Sequence, residues 1–375
     1  MYIDIHPGHK CNGQEDYCHL AFNQFTFPGT HNSGSGFDGS LRRCISGREE
    51  DSCIWQNQNL NISAQLDLGI RFLTIDVCIL PDNCNESVYG DLGGSRLMAC
   101  QGGEETVPFG GYRYAGPITR VLSQISEWMD SEDNHNEVIG LQFTQNSPES
   151  DKSAIVDQLI SLLEQTWCPG GSETCHSSTT NVTLNTSYNK SLTWPTLSQA
   201  IESNSRIFAF IDDGLTLNRL RTMWMNPPPV STFIQHSSHD CSGLLDFAQS
   251  DCNTSSELVS ATGFMLGVCN TNLQQDCNPR LENSTKACFE LRQRHNQTVN
   301  VILVDYPEEA LPSESVTEVA RMLNKINVQT YVTVHVTTGP VFTIEPAMPT
   351  TMNTGVCLLS NFIVILTMVA IVMLL

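Results

Sequence analysis

Short apolar runs alternate along the chain with stretches of helical periodicity. The runs at 25–27, 71–77, 138–143, 207–211, 263–268, 299–304 and 330–334 are rich in Ile, Val, Phe and Thr. Several are apolar throughout, the pattern of strands buried on both faces of a parallel sheet. Between them, Ile118, Val121, Leu122, Ile125 and Trp128 fall at helical spacing. So do Ile155, Leu159, Leu162 and Leu163, and again Val316, Val319, Ala320, Leu323 and Ile326. Residues 61–68 read as a short helix stopped by Gly69. A β-then-α order of this kind predicts an α/β fold. The number of elements favours a TIM (β/α) barrel over a short open sheet.

The pattern breaks in three places. Residues 168–195 are polar and bracketed by cysteines, and 224–251 carry the run Pro227-Pro228-Pro229. Both read as loop insertions on the surface. Residues 340–354 are rich in Pro and Thr and read as a stalk. The predicted organisation is one barrel domain over 1–339, a stalk with a candidate attachment region over 340–355, and a hydrophobic tail over 356–375. No internal repeat is visible.

Composition narrows the setting. Acidic residues outnumber basic ones by 40 to 19, giving a formal net charge of −21. Nucleic acid is thereby excluded as a partner, because phosphate binding needs a basic footprint. Adsorption to anionic membranes by charge alone is disfavoured as well. The 15 cysteines imply an oxidising compartment. Many lie close in sequence: Cys11 and Cys18, Cys44 and Cys53, Cys78 and Cys84, Cys168 and Cys175, Cys241 and Cys252, Cys269 and Cys277. Zinc would want C-x₂₋₄-C spacings, which are absent, so disulfides are preferred, with connectivity open. Glycosylation sequons stand at Asn61, Asn85, Asn181, Asn185, Asn189, Asn253, Asn283 and Asn296 and agree with a secretory surface.

The tail, 356–375, carries no charge and is long enough to cross a bilayer as a helix. No basic residue follows Lys325. Small and polar residues at 350–355 precede the tail, so a glycosylphosphatidylinositol (GPI) signal with Asn353 as attachment candidate is preferred over a retained tail helix. The first ten residues lack an apolar signal core, whereas cysteines and sequons call for secretion. The expectation is an extracellular or cell-surface protein whose leader is missing from the sequence.

In a parallel barrel the chemistry lies at the C-terminal strand ends. The polar residues there are His31 and Asn32, Asp76, Thr144 and Gln145, Asp212 and Asp213, and Asp305. A histidine can act as a general base near neutral pH, and a buried carboxylate can orient it. Asn32 and Asp76 offer oxygen ligands of the kind Ca²⁺ takes. Each has a plainer reading. Asp212 and Asp213, before Gly214, suit a helix cap or turn, Asp76 a structural role, and His31 a loop after Pro28-Gly29. His135 lies in a charged segment, and His236 and His239 fall in a loop beside Cys241. These three read as surface residues.

FTFPGTHNS at 25–33, followed by QLDLGIRFLTIDV at 65–77, resembles the phosphatidylinositol-specific phospholipase C (PI-PLC) X-domain superfamily, in particular its secreted, cysteine-rich branch. The opening CNGQEDYCHLAFNQFTF, the segment ITRVLSQISEWMDSEDNHNEVIGLQF at 118–143 and NVILVDYPEE at 300–309 extend the likeness from about Cys11 to Asn327. The resemblance implies a distorted TIM barrel with disulfide-bonded loop insertions. It also implies a phosphodiesterase acting on a phosphatidylinositol-type lipid, anchored at a membrane. In that family one histidine takes the proton of the inositol 2-hydroxyl, whose oxygen attacks phosphorus to give a cyclic phosphate and diacylglycerol. A second histidine protonates the leaving oxygen, and an arginine or Ca²⁺ neutralises the phosphate. By motif position His31 matches the first histidine and Asp305 the aspartate that orients it. Arg71, Thr144 and Asp212 are candidates for substrate contacts.

Two departures stand against turnover. Gln101, in RLMACQGG, occupies the place of the second histidine, and glutamine cannot act as an acid. Glu104 and Glu105 are nearby carboxyls that could be proposed instead. Asp76 stands where the bacterial type has arginine, and Thr74 where the calcium type has an acidic ligand. The alternative function is therefore a catalytically degenerate barrel that binds a head group, a glycan or a protein. A glycerophosphodiester phosphodiesterase would want H-R-G and E-x-D motifs together, and H-R-G is absent.

Overall fold

The computed structural model describes residues 10–36, 41–45, 48–52, 56–89, 94–101, 112–145, 152–168, 194–212, 224–225, 231–237, 259–265, 285–293, 297–309 and 315–337. Its chain divides into two compact units, Met1–Thr333 and Val334–Leu375. The first carries the sheet and the site.

Twelve strands are described: β1 (Phe27–Thr30), β2 (Leu41–Ile45), β3 (Arg48–Ser52), β4 (Phe72–Ile79), β5 (Leu97–Gln101), β6 (Arg113–Pro117), β7 (Ile139–Gln145), β8 (Ile207–Asp212), β9 (Trp224–Met225), β10 (Ser231–Ser237), β11 (Val259–Met265) and β12 (Val301–Val304). Helices are α1 (Ile62–Asp67), α2 (Ile118–Met129), α3 (Lys152–Trp167), α4 (Leu197–Glu202), α5 (285–293) and α6 (Val316–Thr337). Strands β10, β11, β12, β1, β4, β7, β8 and β9 pair in that order, every pair parallel. Eight parallel strands in one series is the strand count of a TIM barrel. Among the described residues β9 and β10 do not pair, so the series stays open there. The barrel is distorted on the other flank too. The upper half of β4 pairs antiparallel with β5, which continues through β6 and β2 to β3.

Alternation along the strands sorts the core into two layers. Leu73, Ile75, Val77, Leu141, Phe143, Ile207, Ile211, Ile302 and Val304 pack with Ile118, Val121, Leu122, Ile155, Leu159, Val319 and Leu323 of the helices. The opposite strand face carries Phe27, Phe72, Phe208, Phe210, Val301 and Leu303, packed around Phe22. Phe72 of β4 and Phe210 of β8 stack at 6.1 Å although β7 lies between them. The approach needs Gly140 on β7, because a Cβ there would sit 2.3 Å from the Phe72 ring. The sheet thus curls around an aromatic plug at the N-terminal ends of its strands.

Several expectations change. Pro28 and Gly29 lie within β1, not in a turn after it. Gly29 is required there, since a Cβ would meet Leu303 and the Phe72 carbonyl at under 3 Å. The 330–334 run is the last part of α6, not a strand. Val328 and Tyr331 pack against the aromatic cluster, and this burial overrides the strand preference of β-branched residues. The proposed loop at 224–251 contributes β9 and β10 to the sheet, and His236 falls in β10.

Three disulfides are described: Cys11–Cys18, Cys44–Cys84 and Cys78–Cys100. The last two lace the antiparallel flank across a cluster with Tyr89, Met98 and Tyr114. Cys168 and Cys288 are disulfide-bonded too. No helix among the described residues is long and apolar enough to cross a membrane. The tail, Asn353, His239, Asp213, Glu104, Glu105 and the sequons at Asn181, Asn185, Asn189, Asn253, Asn283 and Asn296 lie outside the described residues. Asn61 and Asn85 are exposed. Asn61 caps α1 by accepting a hydrogen bond from the Ala64 N–H at 2.9 Å.

Candidate active site

The inward strand face that is aromatic at its foot is polar at its C-terminal end. Phe27 and Gly29 lead to His31, Phe72 to Thr74 and Asp76, and Val301 and Leu303 to Asp305. Strands β1 and β12 are parallel partners in register from Phe27↔Val301 to Thr30↔Val304, so His31 and Asp305 leave the sheet side by side. The backbone continues the pairing, with the His31 N–H donating to Val304 O at 3.0 Å. The side chains meet as well, His31 Nδ1 lying 3.1 Å from Asp305 Oδ1.

Asp305 is fully buried, while the His31 side chain keeps 18% of its surface exposed. An ionised carboxylate only accepts, so the imidazole carries its proton on Nδ1, and Nε2 is the basic nitrogen. Burial works to lower the His31 pKa. The hydrogen bond to Asp305 and its charge, with the charge of Asp76 behind, outweigh burial and raise it. His31 therefore titrates above the ordinary imidazole value.

Asn32 and Tyr306, the residues just after this pair, both take left-handed backbone conformations, each at φ 47°. Asn32 is buried and its N–H donates to Thr74 Oγ1 at 3.0 Å. Thr74 thus holds the turn after the histidine. Burial, with the charges of Asp305 and Glu308, pushes the Tyr306 phenol up.

The other candidates separate. Asp76, Thr144 and Asp212 stand level across β4, β7 and β8 by register, at the same end as His31. The Asp212 side chain lies outside the described set. Arg71 is not brought to this end. It precedes β4, and its guanidinium donates to Glu137 Oε2 at 2.7 Å and to the carbonyls of Leu66 and Ile70, lying over Trp128. That is a structural anchor of the helix layer, and the assignment to substrate is corrected accordingly. Gln101 ends β5, 7% exposed, on the face of Leu97 and Ala99. Its Oε1 finds no hydrogen-bond partner among the described residues, and no described bond joins it to His31 or Asp305. His135 stays at the surface beside α2, away from the strand ends.

Among the described residues the donor set does not make up a calcium site. Ca²⁺ takes six to eight oxygens, and the described residues include no group of three or more acidic, histidine or cysteine ligands. Asn32 spends its amide N–H on Asn57, and Asp305 Oδ1 and Oδ2 face His31 and Asn57.

Gln56, Asn57 and Gln58 were not anticipated from the sequence. All three are buried outside any helix or strand. Asn57 donates to Asp305 Oδ2 at 2.8 Å, and Gln58 donates to His31 O at 2.8 Å and to Val304 O at 3.2 Å. A run of three amides carries no periodic signal, so nothing in the sequence marks it as buried.

Parallel strands curling round an aromatic plug, with a histidine–carboxylate pair at their C-terminal ends, give a mixed α/β, barrel-like fold class. Comparison with known proteins finds likenesses to proteins that carry the PI-PLC name. The chain is 24% identical over 212 residues to PI-PLC X domain-containing protein 1 of Arthroderma benhamiae, a match covering 56% of this chain and 53% of that protein. The chain thus spans about half the length of that curated relative. A solved structure of the Staphylococcus aureus phosphatidylinositol-specific phospholipase C is similar at 16% identity and a TM-score of 0.48, covering 81% of this chain and 93% of that one. A calcium-dependent phosphoinositol-specific phospholipase C from Pseudomonas sp. is similar at 9% identity and a TM-score of 0.35, covering 82% and 93%. No family model matches the chain.

Proposed function

We propose that the chain is an extracellular, membrane-anchored phosphodiesterase that cleaves a phosphatidylinositol-type lipid, with His31 as general base. The observation that supports this most is the His31–Asp305 pair, a partly exposed imidazole held at 3.1 Å by a fully buried carboxylate at the C-terminal ends of β1 and β12. In this reading His31 Nε2 takes the proton of the inositol 2-hydroxyl. The freed oxygen forms a bond to phosphorus, the bond from phosphorus to the diacylglycerol oxygen breaks, and that oxygen takes its proton from water. An intramolecular nucleophile supplies much of the rate through proximity. Asp305 keeps the imidazole in the useful tautomer and stabilises its protonated form. Asp76 adds to that field, and Thr144 and Asp212 line the strand ends where a head group would lie. No step is routed through calcium, because Asn32 and Asp76 supply too few ligands.

Gln101 supports a second reading, a barrel that binds a head group without turning it over. General acid–base steps are worth about 10²–10⁴-fold each, so loss of the acid leaves a slow enzyme at best. The test uses the full chain on phosphatidylinositol in mixed micelles, with and without Ca²⁺, beside His31→Ala and Gln101→His. Release of cyclic inositol phosphate by the wild type, reduced at least about 10²-fold in His31→Ala, supports catalysis. Turnover indifferent to His31→Ala overturns the assignment of the base. Release by Gln101→His alone supports the degenerate site.

A further inference from the structure

The segment Gln56-Asn57-Gln58 ties together the two turns that carry the candidate catalytic pair. Asn57 stands at its centre, 2% exposed. Its Nδ2 donates to Asp305 Oδ2 at 2.8 Å, and its Oδ1 accepts from Asn32 Nδ2 at 3.1 Å. Its backbone N–H donates to Ser35 Oγ at 3.0 Å, and its carbonyl accepts from the Tyr306 N–H at 3.0 Å. Four bonds from one residue thus reach both sides: Asn32 and Ser35 after β1, Asp305 and Tyr306 after β12. The flanking amides reinforce the bridge. Gln58 spans His31 O and Val304 O beyond the last rung of the β1–β12 ladder. Gln56 O accepts from the Tyr306 hydroxyl.

We propose that Asn57 is a positioning residue that couples the histidine turn to the aspartate turn, fixing Asp305 Oδ2 so that Oδ1 stays aimed at His31. The inference rests on the reading of His31 as the base, and it adds a residue that does not touch substrate. The physical reason is the burial of Asp305. A carboxylate kept charged out of water needs donors on both oxygens. Asn57 is a neutral donor, so it holds the second oxygen without competing with the imidazole for charge. An amide also accepts, and Asn57 uses that side to seat Asn32 next to the histidine. A valine or leucine of similar size would fill the space and do neither.

The charged groups facing His31 are Asp305 from the end of β12 and Asp76 from β4. Asp212 of β8 stands level with Thr144 by register. Removing the Asn57 donor takes away the bond that fixes Asp305 Oδ2 and leaves the carboxylate freer to turn its Oδ1 away from the imidazole. The His31–Asp305 hydrogen bond, which raises the imidazole pKa, is then weakened.

The experiment is an NMR pH titration of the His31 imidazole in the full chain, ¹³C-labelled at histidine, with His31→Ala for assignment. In Asn57→Leu the His31 midpoint is expected to fall by about one unit, the ordinary scale of environmental shifts. The kcat/KM for phosphatidylinositol is expected to fall about 10- to 100-fold with KM little changed, the usual cost of losing an outer hydrogen-bond partner. A second measurement needs no variant: the Asn57 side-chain amide resonances of the wild type should titrate with the His31 midpoint. A folded Asn57→Leu with an unmoved midpoint overturns the inference, as do Asn57 amide resonances indifferent to that titration. The midpoint is read without turnover, so the two ideas fail separately. A shifted midpoint beside activity that survives His31→Ala keeps Asn57 and sinks the base. An unmoved midpoint beside activity lost in His31→Ala does the reverse.

Discussion

At Asp305 a single carboxylate is asked to orient an imidazole and to stabilise its charge, and the two demands can be separated by substitution. Asp305→Asn keeps the shape and removes the charge. The His31 pKa, raised in the native chain against the pull of burial, then falls, because the groups that lift it are the Asp305 hydrogen bond, the Asp305 charge and the more distant Asp76. A base works only when deprotonated. The acid limb of kcat/KM should therefore move to lower pH in Asp305→Asn, while the plateau drops about 10²–10⁴-fold. A limb that stays in place would show that another group titrates there. Stability follows the same sign. A raised histidine pKa contributes stability that is fully present below the ordinary value of about 6.5 and lost as pH rises through the folded value. The wild type should lose that increment on the alkaline side, read as a fall in Tm, and Asp305→Asn should not. His31 and Asp305 were legible in the sequence because each follows an apolar run at a strand end. Asn57 was not, since a side chain that acts by bonding two distant turns leaves no periodic trace. Arg71 was misread for a related reason. Its motif neighbours lie on a strand that does reach the site, but Arg71 sits at the foot of that strand, facing Trp128 and Glu137.

Strands and helices that bury a continuous face were readable, and elements held by other means were not. The runs that became β4, β7, β8 and β12 and the periodic segments of α2, α3 and α6 lie at the core of the two packed layers. Strands β2, β3, β5 and β6 were missed. They form an antiparallel flank with short, mixed sequences, and two disulfides lace it. The β1 strand was misplaced because Pro28-Gly29 is read by default as a turn. Here the curl of the sheet favours glycine: Gly29 and Gly140 stand where the Phe72 side chain and backbone come closest. This gives an element-scale prediction. Gly140→Ala puts a methyl group 2.3 Å from the Phe72 ring, in a layer where Phe72 also meets Phe27 and Phe210. It should cost about 1–3 kcal/mol by overpacking, read as a lower urea midpoint. Phe72→Leu in the same chain should recover part of the loss, because the smaller side chain vacates the contact. Equal midpoints for wild type and Gly140→Ala would mean that the plug is loosely packed, and the account of the curl would fall.

Over the whole molecule the dominant quantity is charge. With 40 acidic against 19 basic residues, the chain carries a formal −21 while its proposed substrate sits in an anionic lipid surface. Long-range electrostatics then oppose the encounter that the proposed chemistry requires, and a hydrophobic or lipid anchor would have to hold the protein where charge does not. The sign can be measured. Raising salt from 0.01 M to 0.15 M shortens the screening length from about 30 Å to about 8 Å. Repulsion between the protein and phosphatidylinositol vesicles should weaken accordingly, and the association rate should rise with salt. A protein that docks through a basic patch shows the opposite slope, because screening removes an attraction. Stopped-flow association with vesicles of phosphatidylcholine and phosphatidylinositol, followed across that range, distinguishes the two. Vesicles of phosphatidylcholine alone carry no net charge and should give a rate nearly flat in salt. A rate that falls with salt on the anionic vesicles alone would locate a basic docking patch strong enough to outweigh the net charge, and whole-molecule repulsion would no longer describe how this barrel meets a membrane.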